Sequence, residues 1–125
     1  MKKPKKITKA QIQKKERRLL RKEKKAQWEA VRQLVKDAQN NKCYMCNKEI
    51  CGMSSHVHHI IDRRFKEMFF ELNNLILLCP TCHKFGKLSV HNTAIYFSEI
   101  LREREPERFA QLIKFLKNKE KENKN

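Results

Sequence analysis

Two Cys-x-x-Cys pairs, Cys43 with Cys46 and Cys79 with Cys82, constrain this chain more than any other feature. Cysteines at that spacing are typical metal ligands. Four thiolates hold zinc tetrahedrally, and each pair supplies two adjacent corners. The 32 residues between the pairs exceed the ~15–20 of a simple zinc ribbon, so something substantial is inserted there. Cys51 lies close to the first pair and is a rival ligand; otherwise it is a small unliganded thiol. A metal also answers a problem of size. The centre of the chain, residues 41–90, falls below the ~70–80 residues at which an apolar core alone is marginal. The N-terminus has no apolar export signal, so disulfides are not expected and the chain reads as cytoplasmic, or nucleoid-associated if bacterial.

Charge narrows the partner. The 125 residues carry 30 Lys and Arg against 14 Asp and Glu, a formal charge of +16. Such an excess favours polyanions. No run approaches the ~18 apolar residues of a membrane span, which leaves nucleic acid, DNA first, and no membrane. Thirteen of the basic residues fall in the first 25, against Glu16 and Glu23 alone. That is too lopsided for internal salt bridges. Lys14, Lys15, Arg17, Arg18 and Arg21 therefore read as an arm that tracks a phosphate backbone without reading sequence, rather than as a solvated helix face. Oligomeric state is left open, a monomer included.

The chain divides into a basic helical arm (1–40), a central core (41–91) and C-terminal helices with a charged tail (92–125). Residues 12–38 lack Gly and Pro, and Trp28, Val31, Val35 and Ala38 repeat on one face, so a helix is expected there. Trp28 is expected to pack that helix onto the zinc core. Asn40 and Asn41 end it. Residues 57–61 and 75–78 read as strands, with a loop over 63–73. A short helix weakened by Gly86 is expected over 83–87. A helix over 92–104 should turn Ile95, Tyr96, Ile100 and Leu101 inward. Pro106 restarts a helix with Phe109, Leu112, Ile113 and Leu116 on one stripe, and residues 117–125 should fray.

Within the inserted segment, polar residues suited to chemistry accumulate. His58 and His59 are adjacent, so on a strand they point to opposite faces. One can hold a divalent cation while the other takes a proton from water, the division of labour a nuclease needs. The bland alternative is a polar strand edge, and His56 adds ambiguity because it shares the face of His58. His83 follows Cys82 directly, so a zinc knuckle would fix its position; it could equally be a surface His or a replacement zinc ligand. Asn74 precedes the apolar strand and can tie a loop to it through its amide, or be an ordinary turn residue.

Taken in order, Cys43-x-x-Cys46, Val-His-His-Ile at 57–60 and Asn-Leu-Ile-Leu-Leu-Cys-Pro-Thr-Cys-His at 74–83 resemble the HNH, or His-Me finger, endonucleases in their zinc-stabilised branch. The resemblance covers the middle third of the chain. It implies an α+β fold, a ββα-metal finger with a structural four-cysteine zinc site, flanked here by the long basic helix and the C-terminal helices. It implies His59 as general base, His58 and His83 as ligands of one catalytic cation, and Asn74 as the brace that orients His59. It implies structural Zn2+ on Cys43, Cys46, Cys79 and Cys82. The catalytic cation would be Mg2+, Mn2+ or Ni2+. Many relatives have Asp where His58 stands, and the softer imidazole moves the preference away from Mg2+. A weaker similarity, through Leu88-Ser-Val-His91-Asn, Phe97 and the stretch from Arg104 to Phe109, points to NinG-type phage recombination nucleases, in which His91 could assist the metal. Arg63 and Arg64 could grip the scissile phosphate or be solvated loop charges. The rival class is a non-catalytic zinc-ribbon module, which would share the charge and the CxxC pairs but would not need His58, His59, His83 and Asn74 in this order.

Overall fold

The computed structural model describes residues 6–50 and 54–124; Cys51, weighed above, lies outside the described residues. Helix α1 spans Lys9–Ala38. It starts earlier than the apolar repeat because of its cap. The Thr8 hydroxyl accepts from the Gln11 N–H, and the Gln11 side chain accepts from the Thr8 N–H, a reciprocal capping box that satisfies two exposed donors. It ends as the sequence suggested. Asn40 and Asn41 take positive φ values of 54° and 55°, a conformation that Asn tolerates better than most residues.

Strands β1 (His56–His59) and β2 (Leu75–Leu78) form a two-stranded antiparallel sheet, with His56 opposite Leu78 and His59 opposite Leu75. β1 begins one residue before the expected strand and stops at His59, because Asn74 takes over the ladder there. Its carbonyl accepts from the Ile60 N–H at 2.8 Å, and its side chain engages Ile61. All four residues of β2 are buried, and burying one Leu or Ile is worth about 1.5–3 kcal/mol. The free edge of β2 is closed by side chain and loop. The Gln39 amide accepts from the Leu77 N–H at 2.8 Å and donates to the Leu77 carbonyl at 3.1 Å, and the Tyr44 N–H donates to the same carbonyl at 2.9 Å.

The connection between the strands contains two short 3-10 turns, Lys66–Met68 and Leu72–Asn74. After β2 a π-helical turn, Thr81–Phe85, replaces the expected short helix over 83–87. Gly86 ends it by close approach: a Cβ there would lie 2.9 Å from the Thr81 carbonyl oxygen.

Helices α2 (Ala94–Arg104) and α3 (Pro106–Lys124) follow. The inward face of α2 differs from expectation. Phe97 and Leu101 are buried, whereas Ile95 and Tyr96 are exposed. Several registers were open to so apolar a helix, and Phe97 settles the choice by meeting the Tyr44 and His58 rings at 6.0 and 6.4 Å. On α3, Leu112 is buried and Phe115 packs against the core, while Leu116 faces out. The helix continues through the residues expected to fray, with Lys119 bonded to Glu67 at 3.2 Å and to Glu122 at 3.3 Å. Among the described residues no helix is long and apolar enough to cross a membrane.

Candidate metal centres and active site

The four cysteine sulfurs of Cys43, Cys46, Cys79 and Cys82 lie within 4.8 Å of one another. Cys46 and Cys79 stand 3.7 Å apart, close to the ~3.8 Å edge of a tetrahedron with Zn–S of about 2.3 Å. Two knuckles build the cluster. The first is tightened by Cys43 N–H donating to the Lys48 carbonyl at 2.9 Å and by Asn47 at φ 61°. In the second, the Cys82 N–H points at the Cys79 sulfur at 3.5 Å. Burial would raise the Cys43 thiol, but backbone N–H groups of Cys46, Cys79 and Met45 outweigh it and hold the thiol below its ordinary value. Burial and neighbouring sulfurs push Cys82 up, and burial does the same for Cys46. A bound cation reverses such upward shifts, because a coordinated thiol is deprotonated outright. The donor set and its spacing fit structural zinc.

A second cluster begins at the next residue. Ring nitrogens of His58, His83 and His91 also lie within 4.8 Å of one another. His83 Nε2 is 3.1 Å from His58 Nδ1 and 2.9 Å from His91 Nε2. The knuckle fixes His83, whose N–H donates to the Cys79 carbonyl at 2.9 Å. The chain then doubles back. Val90 N–H donates to the Cys82 carbonyl at 2.8 Å and His91 N–H to the His83 carbonyl at 3.1 Å, which sets the two imidazoles side by side. Burial first, and the neighbouring His83 and His91 next, lower the His58 pKa to about 3. Burial and the neighbouring His91 and His56 lower that of His83 to about 4. Both rings are therefore neutral at ordinary pH, with lone pairs free for a cation. Three imidazoles around one point, open to a cavity of about 560 Å³, fit a metal site that keeps positions for substrate. His56, a source of ambiguity in the sequence, contacts the other nitrogen: its Nδ1 lies 2.9 Å from His83 Nδ1. Hydrogen bonding at the far nitrogen of a ligating imidazole fixes its tautomer and orientation.

His59 points the other way, as strand alternation requires. Its Nε2 is 3.0 Å from the Phe69 carbonyl oxygen. A carbonyl can only accept, so Nε2 carries the proton and the lone pair of the neutral ring sits on Nδ1. Burial lowers the His59 pKa, against the opposing effect of the Phe69 carbonyl. The Trp28 ring stacks on His59 at 5.2 Å and 12°. Trp28 thus packs α1 onto the core as expected, through His59, Phe69 and Phe70. Asn74 is fully buried. Its amide accepts from Ile61 N–H and donates to the carbonyls of Ile61 at 3.0 Å and Met68 at 3.1 Å. It therefore clamps the residues beside His59 to those beside Phe69.

Residues 43–85 match the HNH endonuclease family. None of the curated proteins and none of the solved structures matches it.

The HNH segment contains both cysteine pairs, His58, His59, Asn74 and His83, while His91 joins the site from beyond it. Arg63 lines the cavity with His58, His59, His83 and His91. Arg64 does not; it pairs with Asp62 at 3.2 Å and is largely exposed. Lys14, Lys15, Arg17, Arg18 and Arg21 are exposed along α1, far in sequence from the HNH segment. Sequence reasoning missed the clamp at the corner between α2 and α3. Arg104 bonds the Tyr44 carbonyl, and Glu105 accepts from the Tyr44 hydroxyl at 2.7 Å. Arg108 donates to the carbonyls of Asn73 and Leu75, at 2.6 Å each. The only signal was the Arg-Glu-Pro-Glu-Arg stretch at 104–108, which names no partner.

Proposed function

We propose that this protein is a metal-dependent endonuclease that hydrolyses phosphodiester bonds of DNA, with His59 as general base. The observation that carries the reading is the orientation of His59. Its Nε2 is committed to the Phe69 carbonyl, its lone pair is left on Nδ1, and it lines the same cavity as the three clustered imidazoles. The lowered pKa keeps the ring unprotonated and able to take a proton from water. Asn74 holds that geometry by fixing both backbone segments around it. His58, His83 and His91 would hold the catalytic cation through their ring nitrogens. A divalent cation supplies polarisation of the phosphate and stabilisation of the departing 3′ oxygen. An all-imidazole set favours Mn2+, Ni2+ or Zn2+ over Mg2+. Arg63, at the cavity wall, is placed to grip the scissile phosphate. Structural Zn2+ belongs to the four cysteines.

The exposed cations of α1 support backbone tracking along DNA, whose affinity would be strongly salt-dependent. The resemblance beyond the HNH segment supports a role in phage or bacterial DNA processing. One such site nicks one strand, so a double-strand cut needs two visits or two copies.

The test is nicking of supercoiled plasmid with Mg2+, Mn2+ and Ni2+ by wild type and by folded His59→Ala. The variant should lose about 10²–10⁴-fold, the usual worth of a general base. A wild type that binds DNA and leaves it intact under every metal would instead favour a non-catalytic zinc module.

A further inference from the structure

A second cavity, of about 340 Å³, lies against the first. The two share Val57, His59, Arg63, His83 and Lys84 as walls, so they are adjacent and His59 borders both. The second cavity is the one to which α1 contributes. Trp28 and Arg32 line it, four residues apart and hence on the same helix face. The stack of Trp28 on His59 at 5.2 Å sets that face against the site, and Arg32 follows one turn further on. Arg32, Arg63 and Lys84 give the cavity three cationic side chains, and none of its described lining residues is acidic. Arg32 is half-buried, and its partner Glu29, at 3.5 Å, is well exposed. An exposed pair of that kind is worth little, so the guanidinium can exchange it for a better anion. A phosphodiester is such an anion, since its two oxygens match the fork of Arg bidentately.

We propose that this second cavity is a subsite for the phosphodiester next to the one being cut, gripped by Arg32 of α1 with Arg63 and Lys84 at its walls. The proposal rests on the nuclease reading above and adds a residue outside the HNH segment to the substrate-binding machinery. It gives the basic helix a part in the active site: α1 carries the strand across His59.

The experiment uses the full chain with Mn2+ and end-labelled DNA duplexes whose cleavage positions have been mapped. Each duplex carries one neutral methylphosphonate at a single linkage near the cut. Wild type should slow by about 10- to 100-fold when one flanking linkage is neutral, the worth of a hydrogen-bonded charge contact. Arg32→Gln should slow by a similar factor on the unmodified duplex and lose nothing further at that one linkage. Arg32→Lys should recover part of the loss. Zinc content and melting temperature confirm that each variant is folded. Full activity in Arg32→Gln would overturn the proposal, as would losses that multiply at every linkage tested. Binding of the same duplexes, measured by fluorescence anisotropy in a His59→Ala background, separates this idea from the chemistry. Should wild type cut nothing, the nuclease reading fails, and the anisotropy series alone decides the subsite by the same one-linkage criterion.

Discussion

Cys82 and His83 are neighbours in the chain, yet they belong to two clusters built on opposite terms. The cysteine cluster offers four sulfurs within 4.8 Å of one another, with backbone N–H groups turned toward them. The histidine cluster offers three neutral imidazoles facing a cavity that also holds His59 and Arg63. A closed shell holds parts of a fold together and has no room for substrate. An open shell leaves room for a phosphate and for water. The π-turn Thr81–Phe85 joins the two, so the cysteine cluster serves as the mount on which the histidine cluster is fixed. That arrangement suits a small protein, because one ordered turn positions ligands for both.

The largest effect should come from breaking the closed cluster. Structural zinc in small domains contributes about 10–16 kcal/mol of binding energy, comparable with the ~5–15 kcal/mol that keeps a whole domain folded. Cys79→Ser should therefore lose zinc and fold together, seen by metal analysis and circular dichroism. A zinc-free variant that melts like wild type would remove the distinction between the clusters. Breaking the open cluster should do the reverse. In His83→Ala, nicking should fall by at least about 100-fold, the upper range for losing merely an outer partner of a metal ligand. Its cysteine-bound zinc should be unchanged. Zinc lost from this variant would mean that His83 belongs to the structural site.

A smaller effect is expected at Asn74, which touches neither cluster. Asn74→Ala strands the Ile61 N–H and two carbonyls, at about 1–3 kcal/mol for each buried group left unpaired. The melting temperature should drop by about 4–8 °C for each kcal/mol lost, and nicking should drop with it as His59 loses its fixed approach. A lowered melting temperature with undiminished nicking at a temperature where the variant is folded would leave Asn74 a purely structural residue.

Geometry set by short spacings was legible; geometry assembled over distance was not. The zinc knuckles, the strand Leu75–Leu78 and the order of His58, His59 and His83 all rest on short spacings, and the structure places them as those spacings imply. On α2 Leu101 faces the core as expected, but Ile95 and Tyr96 do not, because the Tyr44 and His58 rings select Phe97. His91 could be suspected, but its place depends on a chain reversal closed by main-chain bonds to Cys82 and His83, which side-chain patterns do not encode. Trp28 was legible as the residue that packs α1 onto the core, but its ring partner was not. Its partner, His59, lies 31 residues onward in the chain. Gln39, Arg104 and Arg108 bind backbone carbonyls of distant segments, and a polar side chain gives no hint in sequence of which carbonyl it will find.

The division between a structural and a reactive metal is tested most directly by one chelator titration followed with three signals: bound metal, circular dichroism and plasmid nicking. Nicking should vanish first while about one zinc and the full helical signal are retained, and added Mn2+ or Ni2+ should restore it. Loss of fold and nicking at the same chelator concentration, or nicking that persists with the cysteine-bound zinc as the only metal, would contradict the account.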